Sequence, residues 1–214
     1  MLLLKDQAYN SLLEMIRNGS LEHGKIYSLK AISAQMEMST TPVRDAIQRL
    51  CDEGRMDMLP SRGIRLHSLT KEELIQHYHF SNAIEGYCVS HLAGEYKNGR
   101  GGRHVERLEF MVRELEKRLD LSVPFKEYFV YDKGFHQTIL ESLEDPYFSG
   151  LQHSAMGFYD HPELQHDSAV IREEVYRCHK KIYDNIKSGD SHGAYQALIE
   201  HSDLMIKDLL ETIK

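Results

Sequence analysis

The chain has 214 residues and a net charge of −7, and is 41% hydrophobic and 28% charged, an ordinary composition for a water-soluble globular protein. No apolar run is long enough to cross a bilayer, and the opening MLLLKDQ is too short for a signal peptide, so no membrane partner is expected. Three well-separated cysteines without a CxxC pair argue against a disulfide framework or a cysteine zinc site and fit a cytoplasmic protein, while the acidic total argues against indiscriminate nucleic-acid binding.

Helical periodicity dominates from the first residues. Residues 5–17 predict a helix with Tyr9, Leu12, Leu13 and Ile16 on one face, ended by Asn18-Gly19. Lys25-Ile26-Tyr27 reads as a short strand, and Ser28 can cap a second helix that turns Leu29, Ile32 and Met36 inward. A third helix runs through STTPVRDAIQRLCDEG, Ser39 to Gly54. Pro42 is at ease in its first turn, where the missing N–H costs nothing. Ser39, Thr40 and Thr41 offer hydroxyls and free N–H groups at a positive helix end, which suits a phosphate. Arg44 follows on an exposed face, at a depth where an arginine reaches a base edge or a phosphate, and Arg49 is a second outward basic residue. Ala46, Ile47 and Leu50 hold the helix to its own core. Arg55–Leu59 and Ile64–His67 then read as two strands joined by Pro60-Ser61-Arg62-Gly63, a hairpin whose glycine supplies the turn and whose arginine supplies a basic tip.

Taken alone, the third helix is equally well explained as a generically capped structural helix. The hairpin directly behind it shifts the reading toward DNA. Charge does not oppose this, because residues 1–66 hold nine Lys and Arg against eight Asp and Glu, and a local patch matters more than the total.

Three helices followed by a hairpin is the order of a winged helix-turn-helix. The run TTPVRDAIQRLCDEGRMDMLPSRGIRL resembles the DNA-binding signature of the GntR family of bacterial transcription regulators, T-P-V-R-[DE]-A-[IL]-x-R-L-x-x-[ED]-G followed by P-x-x-G. The resemblance covers roughly residues 5–67. It implies that Lys30, Thr40, Thr41, Arg44 and the Arg62-Gly63 wing meet double-stranded operator DNA. Arg55-Met56 departs from the apolar pair usual in that family, at the base of the hairpin.

Thr70-Lys71-Glu72-Glu73 is a capping box that opens a long helix. It marks a boundary between a winged helix-turn-helix DNA-binding domain, residues 1–67, and an all-helical effector-binding and dimerisation domain, residues 68–214. Helices are expected at about 70–96, 103–119, 124–143, 145–158, 169–187 and 190–212, with breaks at Gly99-Arg100-Gly101-Gly102 and Ser188-Gly189-Asp190. The fold class is therefore mainly α, with a C-terminal antiparallel bundle.

Three of these helices carry polar residues in their apolar stripes. One reads Phe125, Phe129, Asp132, His136, Ile139, Leu143, so Asp132 and His136 converge one turn apart. The last two read Ile171, Val175, His179, Ile182, Ile186 and Ala194, Leu198, His201, Met205, Leu209. As an antiparallel hairpin around Gly189 they bring His179 and His201 to nearly the same height. Each histidine alone reads most simply as a hydrogen-bonded core residue. Together, one carboxylate and three imidazoles inside a bundle suit a divalent transition metal, because burying all four unpaired is costly.

YDKGFHQTIL and HKKIYDNIKSGDSHGAYQALIEH are similar to the FCD effector domain of the FadR subgroup of GntR regulators, in its shorter six-helix form. The resemblance implies zinc, nickel or manganese at Asp132, His136, His179 and His201, with a small-molecule effector, an organic acid, completing the coordination. In FSNAIEG, Ser81 stands where that family has an arginine, while Glu85 is kept. Ser81 and Glu85 face inward with Leu74, Tyr78 and Cys88, and His77 can line the same effector pocket; His79 points outward. His153, His161 and His166 lie in or near a loop read as solvated surface, with a lid over the pocket as the alternative, and the charge-laced Met111–Leu119 reads as solvated or dimer-facing. The expectation is a homodimeric, effector-responsive transcription regulator and not an enzyme. The alternatives are a DNA-binding dimer whose quartet is a metal-free polar core, and a metal-dependent hydrolase.

Overall fold

Apolar residues three and four apart make the first helix. The computed structural model describes residues 3–148, 151, 156 and 167–213. In it α1 spans Leu4–Arg17 and buries Ala8, Tyr9, Leu12 and Met15, with Leu13 and Ile16 at the margin of the same core. α2 spans Leu29–Gln35, and Ser28 caps it by accepting a hydrogen bond from the Ala31 N–H at 3.1 Å. α3 spans Thr40–Asp52 and buries Val43, Ala46, Ile47 and Leu50, the stripe its sequence predicts. These helices share one core with Leu21, Ile32, Met56, Ile64 and Leu66.

β1 (Met56–Leu59) and β2 (Gly63–Leu66) pair antiparallel, with Met56 opposite Leu66 and Leu59 opposite Gly63. The strand expected at 25–27 is a single bridge: Tyr27 exchanges backbone hydrogen bonds with Ile64 at 2.7 and 2.8 Å. That bridge adds a second reason for Gly63. Ser61 and Gly63 both have positive φ in the turn, 61° and 129°, as the hairpin reading requires of its glycine. A Cβ at Gly63 would also lie 2.5 Å from the Tyr27 carbonyl oxygen. Arg55 stays at the hairpin base in an ion pair with Glu53, and Met56 enters the core at 2% exposure.

Residues 69–214 make the second compact unit, as residues 1–68 make the first. α4 spans Lys71–Lys97 and starts with the capping box read from sequence: Thr70 accepts from the Glu73 N–H at 3.2 Å, and Glu73 accepts from the Thr70 N–H at 2.9 Å. α5 (Gly102–Glu116), α6 (Phe125–Glu141), α7 (Ala169–Ser188) and α8 (Ser191–Thr212) complete the eight α-helices among the described residues. Of the helix expected at 145–158, the described residues show a 3-10 turn at Pro146–Phe148 and helical backbone at Leu151 and Met156; His153, and beyond that stretch His161 and His166, lie outside the described residues. α7 and α8 form the expected hairpin. Gly189 turns it at φ 74°, and Asp190 caps α8 by accepting from the Gly193 N–H at 2.9 Å. The core of the unit is lined by Leu92, Leu108, Phe135, Ile139, Ile182, Ile186 and Leu198.

One buried cation fastens this bundle. Arg172, at the start of α7, is 0% exposed and spends all five N–H groups. Two go to the Asp167 carboxylate at 2.7 Å each, and three to the carbonyls of Arg118, Asp120 and Val123 at 2.9 to 3.0 Å. The connection between α5 and α6 is thereby tied to the first turn of α7. No helix among the described residues is long and apolar enough to cross a membrane.

Candidate functional sites: an exposed helix end and a buried histidine cluster

The first site is the N-terminal end of α3. Ser39 occupies the N-cap position with extended backbone, yet its side chain makes no capping bond. Its hydroxyl and those of Thr40 and Thr41 are exposed, and the first-turn N–H groups have no intrahelical acceptor. Arg44, one turn on, is exposed, as are Lys30 on α2 and Arg62 at the tip of the hairpin. None of these three cations takes part in an ion pair or side-chain hydrogen bond among the described residues. A positive helix end, free hydroxyls and uncommitted guanidiniums are the equipment for binding a phosphate backbone and reading a groove.

Arg49 is differently placed. Its guanidinium lies 3.8 Å over the Tyr9 ring, with Glu53 at 3.0 Å and Asp6 at 3.9 Å. Arg49 is outward, as read from sequence, but unlike Arg44 it is already engaged: its contacts with Tyr9 and Asp6 join α3 to α1. Gly63 is placed by the Tyr27 backbone, as described above.

The second site lies inside the helical unit. His136 from α6, His179 from α7 and His201 from α8 are 2%, 0% and 4% exposed. Nε2 of His136 lies 3.2 Å from Nε2 of His179 and 3.3 Å from Nε2 of His201. One ligand atom from each ring falls in a cluster whose members all lie within 4.8 Å of one another. The Phe135 ring stacks on His179 at 4.3 Å between centroids and walls one side. Asp132 stands beside this cluster, with Oδ1 3.6 Å from Nε2 of His179. The four-residue set expected from sequence thus appears as three converged imidazoles and a carboxylate at their margin.

Glu85 occupies the far side of His136, with Oε2 2.6 Å from Nδ1. An ionised carboxylate only accepts, so His136 carries its proton on Nδ1 and turns its Nε2 lone pair toward the other two rings. That single lone pair faces two imidazoles and can take one hydrogen bond. Nδ1 of His179 and of His201 has no hydrogen-bond partner among the described residues, and a cation placed at the Nε2 atoms would accept all three lone pairs together. Two nitrogens each about 2.0–2.1 Å from a tetrahedral cation stand roughly 3.3–3.4 Å apart, so the spacing fits.

The electrostatics suit ligation. Burial and the neighbouring imidazoles hold His179 well below the ordinary histidine range, and burial and His136 do the same for His201. Both are neutral with lone pairs available. Burial also pushes His136 down, but the charge and hydrogen bond of Glu85 outweigh it and raise its pKa. Burial lifts Asp132 to about 6.

The expected effector residues divide. Glu85 is engaged by His136, while Ser81, 5% exposed, pairs within its own helix, Oγ 3.0 Å from Nε2 of His77. A surface groove of about 580 Å³ lies on another face of α4, lined by residues including Asn82, Gly86, Tyr87 and Tyr195, and none of these three residues lines it. Sequence reading missed that Glu85 serves His136, 51 positions away; its inward position on α4 was the available signal. The Phe135–His179 stack had no sequence signal, because the two residues lie on different helices.

Comparison with known proteins follows this division. The family model for bacterial regulatory proteins, gntR family, matches residues 4–66, and that for the FCD domain matches residues 76–204. An HTH-type transcriptional regulator of Bacillus subtilis, YdhC, is 21% identical over 196 residues, covering 91% of this chain and 86% of that one. The gluconate operon transcriptional repressor of Bacillus licheniformis is 25% identical over 199 residues, covering 91% and 75%. Among solved structures, a GntR transcriptional regulator of Rhodococcus sp. RHA1 superposes with TM-score 0.78 at 18% identity, covering 98% of this chain and 99% of that one. E. coli McbR/YncC superposes with TM-score 0.76 at 19% identity, covering both chains in full. These likenesses carry the fold.

Proposed function

The chain belongs to the GntR family of bacterial transcription regulators, with an FCD domain behind its DNA-binding domain, and from that premise we propose that its helical unit holds a divalent transition metal that anchors a small-molecule effector and so sets operator affinity. The observation that carries this is the convergence of three buried Nε2 atoms on one point. Zinc, nickel and manganese all accept imidazole ligands. His136, His179 and His201 would hold the ion, and Asp132 would add a carboxylate oxygen beside His179. When bound, the metal supplies a positive centre with positions left for effector oxygens.

The effector fits the class of small organic acids. Ser81 and His77 offer no cation to a carboxylate, so the metal is its anchor. Relatives named as gluconate operon repressors support a hydroxy acid, which chelates through carboxylate and hydroxyl together. Residues 1–67 serve as the DNA-binding domain and residues 68–214 as the effector and dimerisation domain. Lys30, Ser39, Thr40, Thr41, Arg44 and Arg62 meet a pseudo-palindromic operator in the cytoplasm, two copies of the chain spanning its half-sites. The response is linkage: an effector that binds one arrangement of the dimer better shifts the population toward it, and operator affinity follows.

Elemental analysis of untagged protein purified without chelators tests the metal. Near-stoichiometric metal in the wild type and little in a His179→Ala/His201→Ala variant is the expected result. No metal in either, even after soaking with zinc, nickel and manganese, would reduce the cluster to a polar core and leave the DNA-binding half standing.

A further inference from the structure

The contact from α4 into the cluster has a consequence of its own. Glu85 and His136 are each 2% exposed, come from α4 and α6, and meet at 2.6 Å through Nδ1. Glu85 is on the opposite edge of the ring from His179 and His201, so it is placed to act through His136 and not as a ligand. A second inward pair, Ser81 with His77, packs one turn earlier on the same helix. α4 is also the helix that carries the chain onward from the winged unit, beginning at Lys71 after β2 ends at Leu66.

Resting on the metal reading above, we propose that Glu85 is the positioning residue of this site: it fixes His136 in the Nδ1–H tautomer, keeps the Nε2 lone pair on the ligand side, and ties occupancy of the cluster to α4. The physical reason is that an imidazole free to exchange tautomers presents the wrong nitrogen part of the time. A carboxylate behind the ring removes that freedom and raises the basicity of the ligand nitrogen. Loss of such a partner weakens metal binding about 10- to 100-fold.

The test compares wild type with Glu85→Gln, nearly the same shape with a weaker neutral acceptor, and Glu85→Leu, which has no acceptor. Affinity for zinc, nickel and manganese is read by competition with a chromophoric chelator, and helical content by circular dichroism. Nitrogen chemical shifts of the His136 ring in metal-free protein report the tautomer. The expected result is about tenfold weaker binding for Glu85→Gln, about hundredfold for Glu85→Leu, and a mixed tautomer in the latter. Zinc should slow hydrogen exchange of α4 amides around Glu85 in the wild type and do so less in Glu85→Leu. If Glu85→Leu fails to fold, Glu85→Gln decides. Wild type that binds metal beside variants of equal affinity and unchanged tautomer would overturn the role of Glu85 alone. Unaltered α4 exchange would overturn the tie to that helix. Wild type that binds none of the three metals would overturn the metal reading and this inference with it.

Discussion

Arg44 and His179 each stand on an amphipathic helix, and the two units use them in opposite ways. Arg44 is exposed on α3, near a helix end whose N-cap hydroxyl makes no capping bond among the described residues. His179 is 0% exposed on α7 and meets imidazoles from two other helices. The winged unit therefore keeps its polar groups in water at little cost and waits for an outside phosphate. The helical unit buries its polar groups, and on the proposed metal reading its stability would be linked to the ion that they hold. One site can be weakened without disturbing the fold around it; the other cannot.

That contrast can be broken most sharply with the metal itself. Zinc at about a thousand times its dissociation constant should stabilise the helical unit by about 4 kcal/mol in thermal denaturation. The same addition should leave operator affinity of a His179→Ala/His201→Ala variant unmoved. Next in size is Arg172→Met, which removes all five hydrogen bonds of a fully buried guanidinium and leaves Asp167 and three loop carbonyls without that donor. It should cost about 3 kcal/mol by denaturant titration, and Arg172→Lys should rescue little because an ammonium cannot reproduce the five-donor fork.

Arg44→Ala should weaken operator binding by about 1–3 kcal/mol in a gel-shift or anisotropy titration at fixed salt, with the melting temperature unchanged. Arg49→Ala should do the reverse, losing up to about 1 kcal/mol of stability from its ring contact and ion pairs while operator affinity holds. The smallest effect is a pH dependence in the wing. Burial pushes the Asp57 carboxyl up, but hydrogen bonds from His67 and Arg65 outweigh it and lower its pKa. A depressed folded-state value contributes stability that is complete above the unfolded value near about 3.9 and is lost as pH falls through the folded one. The stability advantage of wild type over Asp57→Asn should therefore be full at neutral pH and vanish in acid.

Local patterns carried much of this into the sequence. The capping box at Thr70, the buried stripe of α3 and the hairpin at Gly189 are short-range features, and each appears where its spacing places it. The three histidines were legible because each interrupts an apolar stripe, and an interruption shows which way a side chain faces. Gly63 was legible as the glycine of the turn, and its φ of 129° agrees; its second reason was not legible, since the carbonyl that excludes its Cβ belongs to Tyr27, 36 positions earlier. Arg49 was legible as outward, but its partners were not, because Tyr9 and Asp6 stand on another helix.

The sequence by itself determined the order of elements, the family, and the facing of His136, His179 and His201, because periodicity and caps act within a few residues. Only the tertiary structure decided which atoms meet. It converged three Nε2 atoms, left Asp132 at their margin, set Glu85 behind His136 and surrounded Arg172 with five acceptors. Such contacts join residues far apart in the chain, and helix packing fixes their distances.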